Sequence, residues 1–174
     1  MKKSLIITII VAAVVVIGIA SFFVWATLTD DMRPPDRPIE SKPGKITVTS
    51  NGCCMHVEDL EVIALTDAGD ELVLAQTQKV YLNNIFSFDM PALDSAYTKI
   101  AVSCTFFYGG PSDFYEVVFS RDELVQSGLL LYIQEADGAY FNARTGNKQV
   151  SYKLNHATGG WDKLDTPMKL YKRG

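Results

Sequence analysis

Four consecutive residues, Cys53-Cys54-Met55-His56, concentrate more reactive chemistry than any other stretch of the sequence. Thiolate, thioether and imidazole groups are all ligands for a soft metal such as Cu(I). In an extended chain, successive side chains point to opposite sides. Cys53 and Met55 then share one side, and Cys54 and His56 the other. A turn at Asn51-Gly52 relaxes that restriction, so all four stay open as metal ligands. The main expectation is no cofactor, with Cu(I) or another soft metal as the alternative.

The third cysteine, Cys104, offers a different use for the same thiols. In an oxidising compartment it is a candidate disulfide partner for Cys53 or Cys54. Three cysteines leave one over, and a fully reduced set remains open. A bond between the adjacent Cys53 and Cys54 fits disulfide geometry poorly.

Nucleophilic catalysis needs a base held against a nucleophile. Histidine occurs only at His56 and His156, and His156 lies in the loop-like stretch Asn155-His156-Ala157-Thr158-Gly159-Gly160. No Gly-x-Ser-x-Gly elbow, His-Glu-x-x-His pair or phosphate loop occurs. No catalytic residue is assigned, and the chain is expected not to be an enzyme. The carboxylates Glu58, Asp59, Glu61, Asp67, Asp70 and Glu71 miss the spacing of a calcium-binding EF-hand loop. They read instead as charges that keep hairpin edges solvated.

These groups must be positioned by the elements around them. Leu5 to Leu28 holds no charged residue and is 24 residues long. About 20 apolar residues suffice to cross the hydrocarbon core as a helix. The run is longer than the apolar part of a cleaved secretory signal. Residues 5–28 are therefore expected to be a transmembrane signal-anchor. Lys2 and Lys3 precede it, and Asp30 and Asp31 follow, which places residues 1–4 in the cytoplasm. The rest is then extracytoplasmic, either periplasmic or at the cell surface. Residues 29–45 form a linker whose four prolines make an extended spacer.

From residue 46 the hydrophobic period becomes two, as in half-buried strands. Strands are expected at Ile46 to Ser50, Leu60 to Thr66, Glu71 to Gln76 and Ile85 to Met90. Others are expected at Thr98 to Tyr108, Phe114 to Phe119, Leu129 to Gln134, Tyr140 to Ala143 and Lys148 to Leu154. Ile100, Val102, Cys104 and Phe106 fall on one inward face, with Phe86, Phe88 and Met90 lining the same core. Ser120-Arg121-Asp122-Glu123 is a capping-box pattern that predicts a short helix stopped by Gly128. Residues 46–154 thus read as an all-β, antiparallel two-sheet sandwich of eight or nine strands, immunoglobulin-like or transthyretin-like, with one short helix. Residues 155–174 read as a C-terminal tail, partly disordered, with Trp161 able to dock on the sheet.

Residues 46 to 110 resemble the transthyretin-like or carboxypeptidase-regulatory-like β-sandwich family. The resemblance rests on Val62-Ile63-Ala64-Leu65, Gly69, Thr77, Phe86-Ser87-Phe88, Pro91 and Ile100-Ala101-Val102. It departs from the family pattern at Asn84, which stands in place of a turn glycine, and in a longer Thr-to-Phe spacing. It implies a binding or spacer module and carries over no catalytic residue.

The net charge is −4 over 174 residues, with a pI of about 5.1. No basic stripe is present, so nucleic acid is not expected as a partner, and no small-molecule substrate is evident. The expected role is a membrane-anchored module for protein–protein binding or assembly of a cell-envelope complex, with a protein partner in the envelope. The alternative is a metal- or redox-handling accessory protein using Cys53, Cys54, Met55 and His56.

Overall fold

The computed structural model describes residues 40–51, 55–81 and 84–168, all within one compact unit, Pro34–Gly174. The expected anchor, most of the linker, Cys53, Cys54 and the last six residues lie outside the described residues. No helix among the described residues is long and apolar enough to cross a membrane.

Among the described residues the chain forms ten strands and one helix: β1 (Lys45–Ser50), β2 (His56–Thr66), β3 (Glu71–Val80), β4 (Ile85–Asp89), β5 (Tyr97–Phe107), β6 (Pro111–Ser120), α1 (Arg121–Ser127), β7 (Leu129–Glu135), β8 (Ala139–Thr145), β9 (Lys148–Asn155) and β10 (Gly160–Lys163). They make two sheets, a six-stranded one in the order β10-β9-β8-β7-β1-β4 and a four-stranded one in the order β3-β2-β5-β6. One hydrophobic core draws on both. The first sheet contributes Ile46, Val48, Leu131, Ile133, Phe141 and Tyr152, and the second Val57, Leu60, Val62, Ile100, Val102 and Phe106. Ile100, Val102, Cys104 and Phe106 do form the inward row read from their alternation, and Phe86, Phe88 and Met90 pack against the same core.

Aromatic rings fill the centre between the sheets. Phe106 meets Phe141 edge-on at 6.0 Å, and Phe114 meets Tyr152 edge-on at 5.2 Å. Trp161 sits 4.4 Å from Phe106 and 5.2 Å from Phe114. Such offset and edge contacts suit the ring quadrupoles and add to the burial of large apolar areas.

Three expectations need correction. The pairing is not wholly antiparallel, because β1 runs parallel to β7, with Ile46 opposite Leu129 and Ser50 opposite Ile133. Parallel neighbours need a long crossover rather than a tight turn, and residues 51–128 supply it. The strands among the described residues number ten rather than eight or nine. The segment from 155 to 168 is also part of the fold. Gly159, at φ +69°, turns the chain so that β10 pairs with β9, placing Trp161 opposite Leu154. Beyond it, the Leu164 and Met168 N–H groups donate to the Ser151 carbonyl and hydroxyl at 2.8 and 3.0 Å.

The start of the domain is pinned as well. The Gly146 N–H donates to Ser41 Oγ at 3.0 Å, and the Met90 N–H to the Gly44 carbonyl at 3.0 Å. The Ser120 N–H donates to the Glu123 carboxylate at 2.9 Å, which caps α1 as the sequence pattern predicts. Gly128 ends the helix at φ +68°, and a Cβ there would lie 1.9 Å from the Lys42 carbonyl oxygen. Glycine is thus required both by the backbone conformation and by the close approach of residues 42–45.

Candidate functional site

Antiparallel register brings the start of β2 onto the end of β5, with His56 opposite Phe107. The two rings stack with centroids 4.7 Å apart and planes 2° from parallel. The end of β3 adds Lys79, opposite Glu58, and then Tyr81, whose ring lies 5.5 Å from His56. The Tyr81 N–H donates to Asn84 Oδ1 at 2.7 Å, which ties Tyr81 to the start of β4.

Glu58 is the electrostatic centre of the group. It bonds Lys79 at 2.6 Å and meets His56 Nε2 at 3.3 Å. The Lys79 bond, with the ammonium charge and His56 adding to it, holds the Glu58 carboxyl below its usual range. The same bond raises the Lys79 ammonium. This arrangement orients one imidazole nitrogen toward a carboxylate and lays the ring on an aromatic face. The second histidine comes to the same end of β5 from far along the sequence: His156 packs on Tyr108 at 5.3 Å, next to Phe107.

Of the sequence-predicted ligands, Cys53 and Cys54 lie outside the described residues. Met55 is buried in the core, whereas His56 is half-buried and stacked on Phe107, so the two described members of the tetrapeptide diverge. Cys104 is a buried free thiol. Burial, reinforced by Asp113, pushes its ionisation far up, so it stays protonated and unreactive. Asp67 bonds Thr98 at 2.9 Å and pairs with Lys99 at 3.1 Å, and Asp70 engages Thr66, so these two carboxylates are tied to separate partners. Asp59 is exposed at an irregularity in the β2–β5 pairing, at φ +48°. Among the described residues, no three His, Cys, Asp or Glu side chains are placed to hold a metal ion.

A second feature escapes sequence reading. Register across the four-stranded sheet aligns Val73, Ile63, Ala101 and Val117 in one row on the face turned away from the core. The middle pair is buried, while Val73 and Val117 at the ends are each 45% exposed. Tyr115, two residues before Val117, is 53% exposed on the same side. The row is assembled through pairing shifts at Val62/Ile63 and Ile100/Ala101, which simple alternation does not reveal.

Neither a family model nor a curated protein nor a solved structure matches this chain.

Proposed function

We propose that this chain is a membrane-anchored, extracytoplasmic β-sandwich module, transthyretin-like in layout, that binds protein partners and serves assembly of a cell-envelope complex rather than catalysis. The observation that carries this reading is the apolar row on the outer face of the four-stranded sheet. Its exposed ends Val73 and Val117, with exposed Tyr115 beside Val117, stand on a hydrogen-bonded sheet. Exposed apolar side chains gathered on one rigid face mark interaction surfaces more often than scattered ones do. In this reading residues 5–28 cross the membrane with the N-terminus cytoplasmic, and the proline-rich spacer holds the domain off the lipid.

A photoreactive residue in place of Tyr115, in the full chain in its native membrane, tests the docking face. A discrete adduct that disappears with Val73→Lys and Val117→Lys is the expected result. An adduct pattern matching that of a probe at Asp162, on β10, would overturn it. Intact mass of the membrane-extracted chain tests the anchor, and loss of the first 20 or 26 residues would refute it.

The second reading is metal or redox handling at the His56 end. The Glu58–His56 contact favours it, since an imidazole ligand is commonly oriented by a carboxylate on its other nitrogen. Metal analysis of anaerobically purified full-length protein separates the two readings. Stoichiometric copper, lost with His56→Ala, would replace the binding reading.

A further inference from the structure

The outer face of the six-stranded sheet is buried, yet the described strands and helix do not cover it. Leu130, Tyr132 and Gln134 alternate on β7 with the core residues Leu131 and Ile133, and so point away from the core. They are buried nonetheless, as are Thr47 and Thr49 on β1 and Tyr140 and Asn142 on β8. The four-stranded sheet lies on the core side, and α1 packs against β5, β6 and β8. Met168 reaches the outer face at β9, two strands from β7, where its carbonyl accepts from Gln149 Nε2 at 2.7 Å. Closer to the centre of the face, the fully buried Gln134 amide has no hydrogen-bond partner among the described residues.

The chain enters the fold at one end of this face. Ser41 Oγ accepts the Gly146 N–H just past β8, and the compact unit begins at Pro34. Between them stand Pro34-Pro35-Asp36-Arg37-Pro38-Ile39-Glu40. A polyproline II segment rises about 3.1 Å per residue, so Pro34 to Ser41 spans about 22 Å. From Gly146 back to Tyr140, which pairs with Gln134, β8 spans about 20 Å. Such a helix repeats every three residues, so Pro35 and Pro38 share the side on which Ser41 meets the fold. Two prolines at this spacing dock on aromatic surfaces, and Tyr132 and Tyr140 supply the rings. Prolines bring no N–H that burial would strand, and the unbonded carbonyls of the segment can accept from the Gln134 amide. Asp36 and Arg37 cancel in charge and fall on the other sides of the helix. The C-terminal residues fit less well. Lys169, Lys172 and Arg173 would lie over a face whose buried polar residues are all uncharged.

We infer that residues 34–39 form a polyproline strap along β7 on the outer face of the six-stranded sheet, with Pro38 beside Tyr132 and Pro35 beside Gln134. The strap lies on a different sheet from the apolar row, and residues 34–39 remain in the chain even if residues 5–28 are cleaved. It therefore does not rest on the partner-binding reading.

The test uses the full chain in its membrane, with Cys53→Ser, Cys54→Ser and Thr49→Cys. Thr49 sits opposite Tyr132 and is 2% exposed. Its cysteine should resist a thiol reagent, and Pro35→Asp with Pro38→Asp should speed labelling at least about tenfold, since charge is then forced onto an apolar contact. Buried Cys104 should stay unlabelled throughout, which reports an intact core. Removing residues 169–174 should change nothing. Rapid labelling before the proline substitutions would overturn the inference. So would indifference to them, or a gain on removing 169–174 instead. Should Cys104 label in the proline variant, a photoreactive residue in place of Asp36, in the otherwise unsubstituted chain, decides. An adduct within Leu129–Glu135 or Ala139–Thr145 supports the strap, and its absence refutes it.

Discussion

In the four-stranded sheet, β5 returns to half-exposed residues at Ser103 and Thr105 between its core positions Val102, Cys104 and Phe106. In the six-stranded sheet, β7 is buried without a break from Leu129 to Gln134. Its outer-face neighbours Thr47, Thr49 and Asn142 are buried as well, as is Ser151 one strand further on. Where one face is wet, burial alternates and the sequence alternates with it. Where both faces are covered, the period vanishes, and polar groups on the second face must find partners. Asn142 and Ser151 do so, through a 2.6 Å bond and a further one to the Tyr132 carbonyl. The two sheets thus share one core but bury their outer faces to different extents.

Four experiments sharpen or break that contrast. The largest effect should come from β5. Phe106→Ala removes a fully buried ring touching Phe114, Phe141 and Trp161, and should cost roughly 3–5 kcal/mol in a denaturant melt. Phe107→Ala, on the half-exposed side, should cost clearly less, and equal or reversed costs would break the assigned faces. Next comes the junction feeding the six-stranded sheet. Gly128→Ala combines a left-handed backbone with a backbone clash at Lys42 and should cost about 3 kcal/mol. An unchanged midpoint would show that residues 42–45 are not pinned there.

A smaller effect, of opposite sign, is expected inside the six-stranded sheet. The Tyr152 hydroxyl is buried with no hydrogen-bond partner among the described residues, and burial, aided by Glu116, pushes its pKa up to about 12. Tyr152→Phe keeps the ring and removes an unsatisfied group, so it should raise stability by about 1 kcal/mol. A loss of that size would mean that the hydroxyl is bonded.

The smallest effect is on the outer face of the four-stranded sheet. Glu58 has a folded-state pKa below its ordinary value of 4.5. The folded chain therefore binds this proton less readily than the unfolded one. The resulting stability is present above the ordinary value and is lost as pH falls through the lowered one. Thermal melts of Glu58→Gln should lie slightly below wild type at neutral pH and converge with it in acid. A gap that persists at low pH would assign the loss to packing instead.

The legible parts of the sequence follow from the same contrast. β5 was readable because its alternation is strong, and α1 because Ser120, Glu123 and Gly128 stand at cap spacing. β7, β8 and β9 are legible too, because the turn residues Asp137-Gly138 and Thr145-Gly146-Asn147 separate their apolar segments. β10 was not readable as a strand, since Gly159-Gly160 looks like a breaker, and pairing with β9 together with the docking of Trp161 onto Phe106 and Phe114 gives those four residues a place. The His56 group was half legible. The tetrapeptide drew notice by composition, but the contacts of His56 with Phe107 and Tyr81 depend on long-range register and the irregularity near Asp59.

The parallel pairing of β1 with β7 also orders events during synthesis. The strands of the four-stranded sheet all lie between His56 and Ser120 and can pair as they leave the ribosome. β1 emerges before any of them, yet its parallel neighbour starts at Leu129. At ordinary elongation rates that interval is roughly 4–16 s. Until then Ile46 and Val48 have at most the short β4 beside them. A nascent chain stalled in this window would carry one finished sheet and an unclosed apolar strand, the species on which a chaperone would act.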